Sequence, residues 1–306
     1  MIRNALLTAA VLTAVLTPAT ALANPIAGQP APCVGASDLV GPVFNVRKCG
    51  VSDVDQFRAG LENNGNAYCG PASLYNVLHY WGHEKNAPVG WLTTKVGNLN
   101  PMAQSDYNVI TNSIWRIGVD AKYDGGTSLT NLRTAWDIAT KPARDAGWTT
   151  SRGVVSTNEQ IDFAGELAKR LDKGPLQLVY GRYKDGPQAG SLQRSGGHIV
   201  TVVAASGTFN NTTVQLKLAD PGRALDSGQG DYLHTQSQYE SLDVYLVRKN
   251  IYEYVPVKDD ENTREDESLQ PGTYRYVQRW ELSGPRYISD TTRQMVEGFN
   301  WFDMAK

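Results

Sequence analysis

The hydrophobic pattern of this chain changes from a helical period to a strand-like alternation near residue 175. Before this point, apolar residues recur at helical spacing and predict helices over 69–81, 106–117, 128–139 and 158–173, with a short further helix at 53–61. After it, apolar or alternating runs predict strands over 176–180, 198–205, 214–219, 243–247, 251–257 and 273–282. A final helix is expected over 290–299. Helices that precede strands are typical of an α+β domain with a mostly antiparallel sheet.

The N-terminus has the three parts of a signal peptide. Arg3 supplies a positive charge, residues 5–16 form a short apolar run, and small residues up to Ala23 provide a cleavage site. Because the run is too short to span a bilayer, we expect cleavage after Ala23, no later membrane span, and an exported protein that is periplasmic or extracellular. The expected organisation is a signal peptide at 1–23, a lead-in at 24–50, a main domain at 51–250 and a C-terminal extension of unknown role at 251–306.

The charge of the chain argues against a nucleic-acid partner. The formal net charge is −2 at pH 7, and lysines and arginines are scattered along the sequence, whereas nucleic-acid-binding domains carry a basic stripe. His79 and His83 are four residues apart, but Gly82 is expected to end the helix between them. No cofactor or metal is therefore predicted, and the oligomeric state stays open.

Three cysteines give an odd count, which in an exported protein leaves one thiol over. Cys33 and Cys49 flank a segment that contains Gly and Pro, and they form the natural disulfide pair of the lead-in. Cys69 is then the free thiol, and a free thiol retained in an oxidising compartment indicates use. The alternative is a disulfide between Cys69 and one of the other two cysteines.

Cys69 begins the first predicted helix, in the run Cys-Gly-Pro-Ala-Ser. Pro71 suits a first helical turn, whose N–H groups have no intrahelical partner. The unpaired N–H groups and the macrodipole at a helix N-terminus favour an anion, and the thiolate is the reactive form of cysteine. The competing interpretation is a small buried hydrophobe at the start of a core helix.

His198 and Asp220 are predicted to meet across a hairpin. His198 opens one strand and Asp220 ends the next, and each is eleven residues from Phe209 in the turn between them. A carboxylate opposite an imidazole holds it in one tautomer. A nucleophilic cysteine needs such a base and orienting group, so Cys69, His198 and Asp220 are predicted to form a catalytic triad.

Three segments resemble one known family. They are Asn-Ala-Tyr-Cys-Gly-Pro-Ala-Ser from Asn66, Gly-Gly-His-Ile-Val-Thr-Val-Val from Gly196, and Leu-Ala-Asp-Pro-Gly from Leu218. The chain thus resembles the papain-like cysteine peptidases of the bacteriocin-processing (double-glycine leader) type, and most of all their soluble "peptidase C39-like" relatives. The resemblance covers about 50–250. It implies a papain-like α+β fold, with N-terminal helices packed on a mostly antiparallel sheet, and the triad named above.

The same resemblance implies an oxyanion donor. The family has a glutamine about six residues before the cysteine, and this chain has Asn63 there. Asparagine donates the same amide hydrogen bond from a side chain one methylene shorter. Asn64 and Asn66 are alternatives, whereas Gln56 lies too far upstream in sequence.

These residues predict an exported cysteine peptidase that hydrolyses a peptide or amide bond through a thioester acyl-enzyme. Its partner would be a peptide or protein substrate, although the family's leader peptides are trimmed on the cytoplasmic side and do not suit an exported chain. Two alternatives stay open. One is a transamidase or cell-wall amidase with the same triad. The other is a catalytically silent module that binds peptides.

Overall fold

A large sheet is the main element of the computed structural model, which describes residues 33–90, 104–157, 162–222, 242–256, 272–284, 287, 289 and 291–306. Its strands are β1 (Ala36–Asp38), β2 (Val43–Arg47), β3 (Thr149–Ser156), β4 (Leu176–Asp185), β5 (Ser191–Thr208), β6 (Thr213–Ala219), β7 (Leu242–Pro256), β8 (Gly272–Ser283) and β9 (Arg293–Ala305). They pair in the order β1-β2-β5-β4-β9-β8-β7-β6, and β3 pairs with β9. The pairings are antiparallel except for a short parallel contact between β5 and β7.

The sheet closes on itself because β6 also pairs with β5. Six strands, β5-β4-β9-β8-β7-β6, therefore form a ring. Alternate residues of a strand point to opposite faces, and β5 shows this clearly. Val200 and Val202 belong to the core inside the ring, whereas Ile199 and Val203 belong to a second core on the outer face.

Helices cover both cores. They are α1 (Cys69–His79), α2 (Gln104–Asp120), α3 (Leu129–Ala139), α4 (Lys141–Asp145) and α5 (Phe163–Leu171). Apolar residues of α1, α2 and α3 form the outer core with β5 and β9. The apolar face of α5 joins the inner core instead. Helix α1 lies in the middle of the outer core, so nearly all of its side chains are buried.

The predicted fold class, a papain-like α+β fold with N-terminal helices packed on the sheet, is wrong. Strands make up 41% and helices 28% of the described residues, which one nine-stranded, mostly antiparallel sheet organises. The prediction failed because it omitted β1, β2, β3 and β9. Strands β1 and β2 lie in the lead-in, β3 lies between α4 and α5, and β9 occupies the segment expected to form the C-terminal helix.

Two predicted helices are absent from the described residues. No helix covers 53–61, and the segment predicted as a helix over 290–299 contributes most of its residues to β9. Met295, Val296 and Phe299 recur at a spacing compatible with a helix. However, β3 and β4 pair with β9, and such tertiary context overrides a weak local pattern.

Helix α1 does not end at Gly82 as predicted. A π-helical turn, Tyr80–Glu84, follows α1 and includes Gly82. The predicted helix at 158–173 corresponds to α5, although residues 158–161 lie outside the described residues. The two predicted strands at 243–247 and 251–257 are one strand, β7. It runs across residue 250, and β8 and β9 continue the same sheet.

The predicted disulfide between Cys33 and Cys49 is confirmed, and Cys69 is a free thiol. A disulfide indicates an oxidising compartment and so an exported protein. The predicted signal peptide, 1–23, lies outside the described residues. Among the described helices, none combines the length and apolar character needed to cross a membrane.

Candidate active site

Cys69 is the first residue of α1, as its sequence predicted. Ala67 has a positive φ of 65° just before it, so the chain turns sharply into the helix. The rest of α1 is buried between the sheet and its neighbouring helices, while the Cys69 side chain stays partly exposed. Cys69 is therefore the one residue of α1 that is not fully buried.

His198 and Asp220 come together at the end of the β5–β6 hairpin. The chain turns at Phe209 and Asn210, and Nε2 of His198 lies 2.6 Å from Oδ1 of Asp220. The strand register differs from the symmetric one expected, because Thr201 pairs with Ala219 and a bulge follows. Asp220 therefore lies just past the end of β6 and reaches His198 diagonally.

Three donors hold the carboxylate of Asp220. Oδ1 faces Nε2 of His198 and accepts the backbone N–H of Gly222 at 2.9 Å, and Oδ2 accepts the hydroxyl of Tyr287 at 2.6 Å. Burial alone would raise the pKa of Asp220. The charge and hydrogen bond of His198, with help from Tyr287 and Gly222, outweigh burial and lower this pKa to about 2.

The imidazole of His198 is buried, with an exposed fraction of 6%. The ring of Tyr180 packs edge-on against it, with centroids 5.5 Å apart. Burial alone would lower the pKa of His198, but the charge and hydrogen bond of Asp220, followed by those of Cys69, raise it to about 10. Because Nε2 faces Asp220, Nδ1 is the ring nitrogen left for the thiol.

The thiol of Cys69 and the imidazole of His198 shift each other's pKa. Burial alone would raise the pKa of the thiol. The influence of His198, through hydrogen bonding and positive charge, and the backbone N–H groups of Ile199 and Gly70 lower the pKa below its ordinary value. The two shifts act together and favour a thiolate beside an imidazolium.

Asn63 lies in the 3₁₀ turn Glu62–Gly65, where its side chain is exposed and its φ is 49°. The hydroxyl of Tyr123 donates to the backbone carbonyl of Asn66 at 2.8 Å, and the ring of Tyr123 packs on Tyr68, 4.1 Å between centroids. Tyr123 therefore holds the chain between this turn and Cys69. Asn64 and Asn66 are exposed in the same stretch.

Gln56 is much closer to the site than its sequence position suggested. It is buried, with an exposed fraction of 4%. Its backbone N–H donates to the carbonyl of Pro221 at 2.9 Å, and its Nε2 donates to the carbonyl of Gly65 at 3.2 Å. In the part of the chain that the structure describes, its Oε1 has no hydrogen-bond partner. Gln56 thus connects the loop of Asp220 to the turn that precedes Cys69.

Gly65 allows the turn before Cys69 to pack closely against the backbone of Gln56. Gly65 has a φ of 82°, and a Cβ added there would lie 1.7 Å from the carbonyl oxygen of Gln56. Only glycine combines this backbone conformation with this close approach. The Asn-Gly pair was a visible turn signal, but it did not show which earlier segment the turn would contact.

Tyr287 was also missed, because it lies in the segment predicted as an extension of unknown role. Its hydroxyl completes the hydrogen bonds of Asp220, and its ring packs edge-on against Tyr180. Nothing local in the sequence marks it. The candidate site thus places a thiol, an imidazole and a carboxylate in series, which are the residue types that nucleophilic catalysis by cysteine needs. Comparison of the chain with protein-family models and with curated proteins finds no match.

Proposed function

We propose that this protein is an exported cysteine-type hydrolase that cleaves a peptide or amide bond through a thioester acyl-enzyme. The observation that carries the proposal is the position of His198, which hydrogen-bonds the carboxylate of Asp220 and shares mutual pKa shifts with the free thiol of Cys69. A nucleophile, a base and an orienting group in contact are what acyl transfer requires. The Cys33–Cys49 disulfide supports export.

In the acylation step, the Cys69 thiolate attacks the substrate carbonyl carbon and forms a C–S bond. The tetrahedral oxyanion then collapses, the C–N bond breaks, and the leaving amine takes the proton from the His198 imidazolium. In deacylation, water attacks the thioester and gives its proton to His198. The C–S bond breaks, the acid product leaves, and the thiolate and imidazolium are restored. Asp220 stays ionised and keeps the imidazole oriented.

Two groups are proposed to bind the oxyanion, namely the backbone N–H of Cys69 and a side-chain amide. Gln56 supports the amide role better than Asn63. Asn63 is exposed, so water competes for its amide. The amide nitrogen of Gln56 carries two hydrogens, of which the carbonyl of Gly65 accepts one. Burial of Gln56 also strengthens its interaction with a charge.

A mixed peptide library in H₂¹⁸O tests the proposal. Mature wild-type protein should generate new carboxylates that carry ¹⁸O, and mass spectrometry should detect a thioester at Cys69 after acid quench. New amide bonds to added amines, without ¹⁸O, would indicate a transamidase instead. If the library stays intact and Cys69 reacts with iodoacetamide as slowly as an ordinary cysteine, the protein is not a hydrolase of this kind.

A further inference from the structure

The β7–β8 hairpin carries an exposed row of tyrosines away from the candidate active site. Tyr252 pairs with Tyr276, Tyr254 pairs with Tyr274, and Asn250 pairs with Gln278. Side chains at every second position share one face of a strand pair, so these six residues share a face. We call it the tyrosine face.

The tyrosine rings pack against one another. The centroids of Tyr252 and Tyr276 are 4.7 Å apart, those of Tyr252 and Tyr274 are 5.3 Å apart, and those of Tyr254 and Tyr274 are 5.0 Å apart. Tyr254 at the base is buried, whereas Tyr276 is 82% exposed. The buried base fixes the rings before any ligand arrives, which reduces the entropy lost on binding.

The position of this face along the hairpin is unusual. Val244 and Leu246 of β7, and Trp280 and Leu282 of β8, point into the core inside the ring. The tyrosine face continues the same side of both strands beyond that core. A side that begins as core therefore ends as exposed aromatic surface, and exposed aromatic patches commonly mark binding sites.

The two sides of the described part of the hairpin differ in charge. On the tyrosine face the positions between Asn250 and Pro256 and between Gly272 and Gln278 hold only Tyr, Asn, Gln, Pro and Gly. Charged residues of these two stretches lie on the opposite side, where Arg275 and Arg279 pair with the buried Glu253. The exposed Arg248 lies on the same side as the tyrosines, two residues before Asn250, and so borders the face.

We propose that the tyrosine face binds a neutral glycan chain. The C–H faces of sugar rings pack on flat aromatic rings, and sugar hydroxyls exchange hydrogen bonds with tyrosine hydroxyls and carboxamides. Asn250 and Gln278 are exposed at one end of the row, and Gln188 accepts from the hydroxyl of Tyr252 at 3.3 Å. A nucleic acid or an anionic glycan would need several basic residues here, whereas on the described strands Arg248 alone borders the face on this side. A charged peptide would need charges of opposite sign.

Calorimetric titration of the mature protein with hexamers of β-1,4-linked glucose and of N-acetylglucosamine tests this site. Tyr276→Ala should weaken binding about tenfold, as expected for loss of one stacked aromatic anchor. Tyr276→Trp should retain binding, because the flat ring remains. Tyr245→Ala is the matched control, since Tyr245 is an exposed tyrosine of the same strand pair outside the tyrosine face.

The proposal is independent of peptide-bond chemistry, because none of these variants touches Cys69, His198 or Asp220. Three results would overturn it. The first is no binding of either hexamer by the wild-type protein. The second is binding that Tyr276→Ala leaves unchanged while circular dichroism shows both proteins folded. The third is self-association or peptide binding that Tyr276→Ala removes, without any glycan binding. That result would show that the face binds protein.

Discussion

At the scale of single residues, the candidate site depends on one imidazole with two partners. The charge of Asp220 favours a protonated His198, and a protonated His198 favours an ionised Cys69. Each charge therefore stabilises the next in a buried setting, where unpaired charges are costly. Replacing any one of the three residues should change the titration of the other two.

Cys69→Ala should abolish turnover and leave the fold intact. The helix around the cysteine is held by other buried residues of α1, and alanine is a good helix former. The measurement is hydrolysis of the best library peptide, with circular dichroism as the check on folding. Full activity in the purified alanine variant would remove Cys69 from the proposed mechanism.

Asp220→Asn should raise the pKa of Cys69. In the wild type the Asp220 charge raises the pKa of His198, so its loss lowers the His198 pKa, weakens the imidazolium and thereby disfavours the thiolate. The rate of iodoacetamide alkylation against pH reports the thiolate directly. The wild-type inflection should lie below the ordinary cysteine range, and the variant inflection should lie higher. Superimposable profiles would contradict the proposed coupling.

Tyr287→Phe tests the residue that the sequence did not reveal. Loss of one hydrogen bond to a charged group costs roughly 1.5–3 kcal/mol, so kcat should fall about tenfold or more and the pKa of Asp220 should rise. Tyr245→Phe is the control, because Tyr245 is exposed on a strand outside the site. If kcat is the same in both variants, the Tyr287 hydroxyl does not support Asp220 in catalysis.

At the scale of elements, the site is the meeting point of the start of α1, the β5–β6 hairpin and the segment of Gln56. Helix α1 supplies Cys69, the hairpin supplies His198 and Asp220, and the segment of Gln56 is bound to both Pro221 and Gly65. The backbone of Gln56 thus forms part of the frame, and only its side chain is available for chemistry.

Gln56→Ala should lower kcat by about 10²–10³ with little change in KM, because an oxyanion donor acts mainly in the transition state. Asn63→Ala is the matched comparison, since Asn63 is the position that the family resemblance favours. If Asn63→Ala lowers kcat strongly and Gln56→Ala does not, Asn63 is the oxyanion donor. If both are silent, backbone amides bind the oxyanion alone.

Local signals were enough to predict α1 at Cys69, the β5–β6 hairpin and the Cys33–Cys49 disulfide. They could not predict β9, because the spacing of Met295, Val296 and Phe299 fits a helix as well as a strand. They also could not place Gln56 or Tyr287. Both residues reach the site through contacts between distant parts of the chain, and such contacts have no local signature.

At the scale of the whole molecule, the closed ring of strands and the lead-in are joined by β2, which pairs with β5. The disulfide between Cys33 and Cys49, 16 residues apart, restrains this lead-in. Its main effect is expected on the unfolded chain, whose entropy it reduces.

The double variant Cys33→Ser/Cys49→Ser should therefore lose about 3 kcal/mol of unfolding free energy and keep a site that still reacts with iodoacetamide. Urea unfolding followed by fluorescence measures the loss. Wild-type protein with Cys69 already alkylated is the control, since it lacks the free thiol but keeps the disulfide. An unchanged urea midpoint would show that the lead-in contributes nothing to stability.

The position of β9 has a consequence for the life of a nascent chain. This strand follows every other described element in the sequence, yet it lies between β4 and β8 in the sheet. A ribosome releases it after all of those elements, so Cys69, His198 and most of the described sheet exist before the centre of the sheet can be filled. On the proposed function, the chain would remain inactive during synthesis and become a hydrolase only when β9 is inserted.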